Sequence, residues 1–220
     1  MRVLIFGATG MVGQGVLREC LLASDVDAVV TIGRNATGQQ NSKLREIVQP
    51  DLFQYESLES DLSGFDACFF CLGVSSVGMK EADYTRITFT LTLAAAQALV
   101  RLNPQMVFIY VSGVGTDSSE RGRLMWARVK GRTENSLLRL PFKSAYMFRP
   151  GVIEPVHGIR SKTRLYQFLY SIGGPLFSLL RWALPNQILS TEDIGRAMLN
   201  AVRHGFPRQV LEPRDIRTLA

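Results

Sequence analysis

The chain has 220 residues, is 46% hydrophobic, and carries a formal charge of +6 with a pI of about 9.5. That much apolar content supports a large core and excludes a disordered or fibrous chain. Three cysteines, Cys20, Cys68 and Cys71, are too few for a disulfide framework.

The opening strand Arg2–Phe6 runs straight into Gly7-Ala8-Thr9-Gly10-Met11-Val12-Gly13, and a helical pattern follows from Val12 to Leu22. Glycine permits a sharp turn and a close approach to a pyrophosphate, whose charge then meets free N–H groups at a helix N-terminus. This is a dinucleotide-binding turn in the strand-to-helix setting that it needs, with Gly-x-x-Gly-x-x-Gly spacing. A right-handed crossover then delivers a second strand, Ala28–Ile32.

The second strand ends at Gly33-Arg34, with no carboxylate where an NAD-binding fold would hold the adenosine ribose hydroxyls. An arginine suits a 2′-phosphate, with which its guanidinium forms a charge-assisted fork. The expected cofactor is therefore NADP(H). The five-residue apolar run before the glycines is too short for a secretory signal, which makes the cytoplasm the default location.

Further along, the pattern predicts a short helix near 42–48, a weak strand near 52–55, and a buried strand through Ala67–Leu72. Cys68 and Cys71 lie on that strand at an odd separation, so they face opposite sides and no metal or redox site is expected. A long helix is predicted over 81–102, a strand over 106–111, a helix over 122–140, and a strand over 144–148. Strands alternating with helices build an α/β fold, here one doubly wound parallel sheet over residues 1–220 with a small substrate-covering C-terminal part. Ligands gather at the C-terminal ends of such strands: the glycine loop, Leu72-Gly73, Ser112-Gly113 and Arg149-Pro150-Gly151.

Residues 121–164 hold eleven Lys or Arg against Glu134 and Glu154. Arg121, Arg128, Arg132 and Arg139 fall on one helical stripe, which reads as a solvated face, and no aromatic residues interleave with it as a nucleic-acid binder requires. No nucleic-acid partner is expected. The apolar segment 165–184 is broken by Gly173-Gly174-Pro175 and interrupted by Arg181, so neither half spans a bilayer. It reads as two short helices that cover a cleft or make a homodimer contact, with a lipid-facing role as the alternative. A last helix is predicted over Glu192–Arg203, capped by Ser190 or Thr191, and residues 208–212 are expected to add a final strand.

Taken together, Gly7–Gly13, Arg34, Cys71-Leu72-Gly73, Val111-Ser112, Val129-Lys130-Gly131, Phe148–Gly151 and Thr191–Ala197 resemble the short-chain dehydrogenase/reductase superfamily. The likeness is to its atypical branch of TIP30-like and epimerase-like NAD(P)-binding Rossmann proteins. In that family a serine ending the fifth strand, a tyrosine, and a lysine four residues after the tyrosine form the catalytic set. Ser112 matches the serine and Lys130 the lysine, which also holds the nicotinamide ribose. Trp126 occupies the tyrosine's place.

An indole N–H can donate a hydrogen bond but cannot transfer a proton near neutral pH. Two readings from different classes follow. One is an NADP-dependent oxidoreductase on a small carbonyl or alcohol, in which Ser112 polarises the oxygen and Lys130 or a water replaces the tyrosine. The other is a non-catalytic NADPH-binding regulator that acts through a protein partner. Tyr84 and His157 are secondary candidates, with a surface or packing role the expected one for Tyr84.

Overall fold

The computed structural model describes residues 1–159 and 187–220. Seven parallel strands form one sheet: β1 (Arg2–Phe6), β2 (Ala28–Gly33), β3 (Leu44–Val48), β4 (Ala67–Phe70), β5 (Val107–Val111), β6 (Ser144–Phe148) and β9 (Val210–Leu211). Their spatial order is β3-β2-β1-β4-β5-β6-β9. The two strands that precede β9 in the chain, β7 (Val152–Glu154) and β8 (Ile188–Ser190), pair separately in parallel. Helices α1 (Met11–Leu22), α2 (Glu81–Thr85), α3 (Leu91–Leu102), α4 (Met125–Leu138), α5 (Thr191–His204) and α6 (Pro213–Leu219) complete the described elements. This is the expected doubly wound α/β sheet.

The central strands are apolar along their whole length because both faces are covered. All four residues of β4 are buried, as are Val3 to Phe6 of β1. Alternation divides them between two cores. Val3, Ile5, Phe69 and Ile109 face α1 and α5; Leu4, Phe6, Phe70 and Phe108 face α3. On the second face Phe6, Phe70 and Phe108 stack in sequence, with ring centroids 5.1 and 6.0 Å apart. Each such side chain contributes about 1.5–3 kcal/mol through burial. Cys68 and Cys71 fall on opposite sides of the sheet, one in each core.

Helices α1 and α5 cross closely through two glycines. A Cβ on Gly15 would lie 2.6 Å from the Thr191 side chain, and one on Gly195 would lie 2.7 Å from Cγ of Glu19. Ser190 caps α5: its hydroxyl accepts from the Asp193 amide while the Asp193 carboxylate accepts from its own. The close approach at Gly15 and Gly195 sets α5 against the helix that follows the glycine loop.

Several expectations need correction. Residues 42–48 contain β3 rather than a helix: Val29 to Gly33 pair with Leu44 to Val48, and this ladder overrides the helix-favouring Lys, Leu, Arg and Glu. Residues 52–55 form no strand; Leu52 and Tyr55 are buried, and the Tyr55 hydroxyl donates to the Leu52 carbonyl at 2.6 Å. The long helix over 81–102 is helical throughout but passes through a π-turn at Arg86–Thr90.

Helix α4 is shorter than expected, so Arg121 and Arg139 lie outside it and the arginine stripe is broken. Of its members, Arg128 pairs with Glu81 at 2.7 Å and Arg132 sits over the Phe89 ring at 4.2 Å. The expectations for 165–184 lie outside the described residues. Among the described residues, no helix is long and apolar enough to cross a membrane.

Candidate functional site

The sheet order reverses between β1 and β4, and the crevice at that reversal opens where both strands end. Gly7 leaves β1 with φ +77°, and a Cβ there would lie 2.7 Å from the Leu72 backbone. A Cβ on Gly13 would lie 2.2 Å from the Gly7 carbonyl, so the first turn of α1 presses on the loop. Gly10, whose amide donates to the Gly7 carbonyl at 2.9 Å, is the N-cap of α1 and provides no side-chain cap. The first amides of α1 are thus left for an outside acceptor, as dinucleotide binding needs.

The remaining loop residues fit this cradle. Ala8 is buried, Thr9 accepts from Gln14 through its carbonyl at 3.2 Å, and Met11 and Val12 open the helix. Across the crevice Gly73 is exposed, with open space where a Cβ would stand. Arg34 is exposed at the exit of β2, with no ion pair among the described residues. Pro150 accepts from the Val114 amide at 3.1 Å, and a Cβ on Gly151 would lie 2.7 Å from the Gln187 carbonyl.

Ser112 and Lys130, eighteen residues apart, meet at the end of β5. The Lys130 ammonium donates to the Ser112 carbonyl at 3.0 Å and lies 5.8 Å from the centre of the Tyr110 ring. Burial pushes Lys130 down to about 8, against the opposing pull of the Glu134 carboxylate one turn along α4. A lysine so placed exchanges protons near neutral pH. The buried Ser112 hydroxyl lies 3.0 Å from that of Thr116, whose own proton goes to the Gly113 carbonyl at 2.8 Å. Ser112 is therefore the donor of that pair.

Trp126 is half-buried one turn before Lys130, on the same side of α4. Its ring covers Gly115, where a Cβ would lie 3.3 Å from the indole edge. Tyr84 is buried, and burial raises its hydroxyl, which makes it a poorer acid than a free tyrosine. His157 has φ +56° and pairs with Glu192 on α5. A cavity of about 350 Å³ beside α1, touching Gln14, Arg18, Asn41 and His157, is separate from the Ser112–Lys130 pair.

Sequence reasoning missed the group that fixes α4. Glu134 is wholly buried; its carboxylate accepts from Arg149 Nε at 3.0 Å and Nη2 at 2.5 Å. Arg149 also donates to Ser118 at 2.6 Å and to Glu212 at 3.2 Å. A lone Glu in a basic stretch was the available signal. Close packing supports the same junction, since a Cβ on Gly131 would fall 1.8 Å from the Asp117 carbonyl.

Residues 7–137 match the family described as NAD(P)H-binding. The chain belongs to that family. Protein FMP52-2, mitochondrial, from Scheffersomyces stipitis is 26% identical over 216 residues, covering 95% of this chain and 90% of the relative. Among solved structures, MoeE5 in complex with UDP-glucose and NAD has a TM-score of 0.70 at 17% identity, covering 96% of this chain and 75% of that one. A short-chain dehydrogenase/reductase family oxidoreductase from Burkholderia thailandensis has a TM-score of 0.68 at 17% identity, covering 100% and 93%. The NAD(P)-binding family and the epimerase-like Rossmann fold thus agree with the resemblance seen in the sequence.

The cytoplasmic expectation is overturned. FMP52 relatives from several fungi carry a mitochondrial name, and lack of a secretory pattern does not separate the cytoplasm from an organelle.

Proposed function

We propose that the protein is an NADP(H)-dependent oxidoreductase of the atypical short-chain type, acting on a small carbonyl or alcohol without the usual tyrosine. The observation that carries this reading is the Lys130 ammonium lodged 3.0 Å from the Ser112 carbonyl beside the cofactor crevice. The Gly7–Gly13 loop and Arg34 would hold NADPH, which when bound would supply the hydride for reduction of a carbonyl. The Ser112 hydroxyl donates a hydrogen bond to the substrate oxygen, and the proton that completes the alcohol comes from Lys130, directly or through one water. Arg34, exposed where β2 ends, supports NADP over NAD. Exposed Val114, Leu124 and Val152 flank this end of the sheet and suit an apolar substrate.

Trp126 favours a second reading, in which the protein binds NADPH without turnover and signals its occupancy to a protein partner. The substitution Trp126→Tyr separates the two when reduction of a panel of apolar aldehydes is followed by NADPH absorbance. Turnover by the unmodified protein supports the enzyme. Turnover only after Trp126→Tyr supports the regulator, and none in either, with NADPH still bound, removes the catalytic reading of Ser112 and Lys130.

A further inference from the structure

The loop between β2 and β3 carries Arg34 and has an unusual fastening. Both ends are held by the sheet: the Gln49 amide donates to the Gly33 carbonyl at 2.9 Å, and the Val29 amide to the Lys43 carbonyl at 2.8 Å. Between them the chain leaves the sheet, and Arg34, Asn35 and Ala36 are exposed. What grips the middle is Glu46. The strand register sets it opposite Thr31 of β2, and its carboxylate accepts from the Thr37 amide at 2.6 Å, the Gly38 amide at 3.3 Å and the Thr31 hydroxyl at 3.3 Å. All three donors come from β2 and the loop that follows it. The Thr37 hydroxyl in turn accepts from the Gln39 amide at 3.2 Å, which continues the fold of the loop.

A carboxylate here is unexpected beside a cation proposed to receive a phosphate, because at long range it opposes the same anion. Its hydrogen bonds point to another task. Burial pushes the Glu46 carboxyl up, but the Thr37 amide, the Gly38 amide and the Thr31 hydroxyl more than offset this and hold it below the usual range. The group is thus anionic at neutral pH, and charge-assisted bonds to backbone amides hold a loop better than neutral ones.

We propose that Glu46 is a specificity-positioning residue, whose carboxylate folds the loop after β2 so that Arg34 is presented for a phosphorylated dinucleotide. This rests on the reading of Arg34 as the NADP-selecting residue. The two roles open to Glu46 have opposite signs. As a bystander charge its removal relieves repulsion and raises the preference for NADPH; as a positioning residue its removal lets Arg34 wander and lowers that preference.

The test is the ratio of NADPH to NADH affinity, read by nicotinamide fluorescence in the unmodified protein, Glu46→Ala and Glu46→Gln. The expected result is a preference for NADPH that falls about tenfold in Glu46→Ala, with NADH affinity unchanged, and falls less in Glu46→Gln, whose amide oxygen still accepts. A merely structural role would weaken both cofactors together. An unchanged or increased ratio in Glu46→Ala overturns the proposal while leaving Arg34 standing. No NADPH preference in the unmodified protein overturns the Arg34 reading and this inference with it. Should Glu46→Ala fail to fold, Glu46→Gln carries the same comparison with a smaller drop.

Discussion

Replacing Lys130 with methionine should stabilise the cofactor-free protein. The lysine stem is enclosed beside Tyr110 and Ser112, and burial lowers the ammonium from about 10.5 to about 8. Keeping it charged at neutral pH therefore costs the folded state up to about 3 kcal/mol relative to the unfolded chain. Methionine fills similar space without that cost, but strips the Ser112 carbonyl of its donor, a loss of about 1 kcal/mol. The net gain is about 1–2 kcal/mol, and for a chain of this length it raises Tm by about 2–8 °C.

The gain has a defined pH window. Between about 8 and 10.5 the unfolded chain holds the lysine proton while the folded one has released it. Unfolding takes up a proton there, so the stability of the unmodified protein rises with pH. The advantage of Lys130→Met is accordingly full below about 8 and gone above about 10.5. Urea unfolding of both proteins at pH 7 and pH 10 measures it. Equal stability at pH 7, or a difference that does not shrink by pH 10, refutes the burial argument.

Arg149→Met should do the reverse, because it strands the buried Glu134 carboxylate; a loss of about 3–5 kcal/mol is expected, read by the same unfolding curves. The double variant Glu134→Leu/Arg149→Met should recover much of that loss. Gly131→Ala sets two effects against each other: helix propensity gains about 1 kcal/mol, while a Cβ 1.8 Å from the Asp117 carbonyl forces backbone apart at a cost of about 1–3 kcal/mol or more. Since the contact is with backbone, the steric term should win and Tm should fall.

The parts of the fold written in local pattern were readable. β1, the glycine loop and α1 announce themselves within twenty-two residues, and the buried strands stand out as apolar runs because both faces are covered. Ser112 and Lys130 were found through the family motif, and the structure brings them into contact. β3 was hidden because Leu44-Arg45-Glu46-Ile47-Val48 does not alternate cleanly between apolar and polar residues, and only its ladder with β2 decides it. Misreading it as a helix also concealed Glu46, whose task depends on standing opposite Thr31.

The π-turn at Arg86–Thr90 and the three-residue β7–β8 pair leave no period to read. The Glu134–Arg149 bond joins residues fifteen apart on different elements, and neither residue names the other in the sequence. Conversely, apolar residues near 52–55 looked like a strand but serve as plugs in the core beneath the sheet.

Direct titration of the protein with NADPH and NADH, repeated with Arg34→Ala, bears most immediately on the proposed function. The glycine cradle and the exposed Arg34 predict NADPH binding with a preference over NADH that falls about tenfold or more in the variant, while NADH affinity is kept. Binding of neither nicotinamide would contradict it, as would a preference indifferent to Arg34.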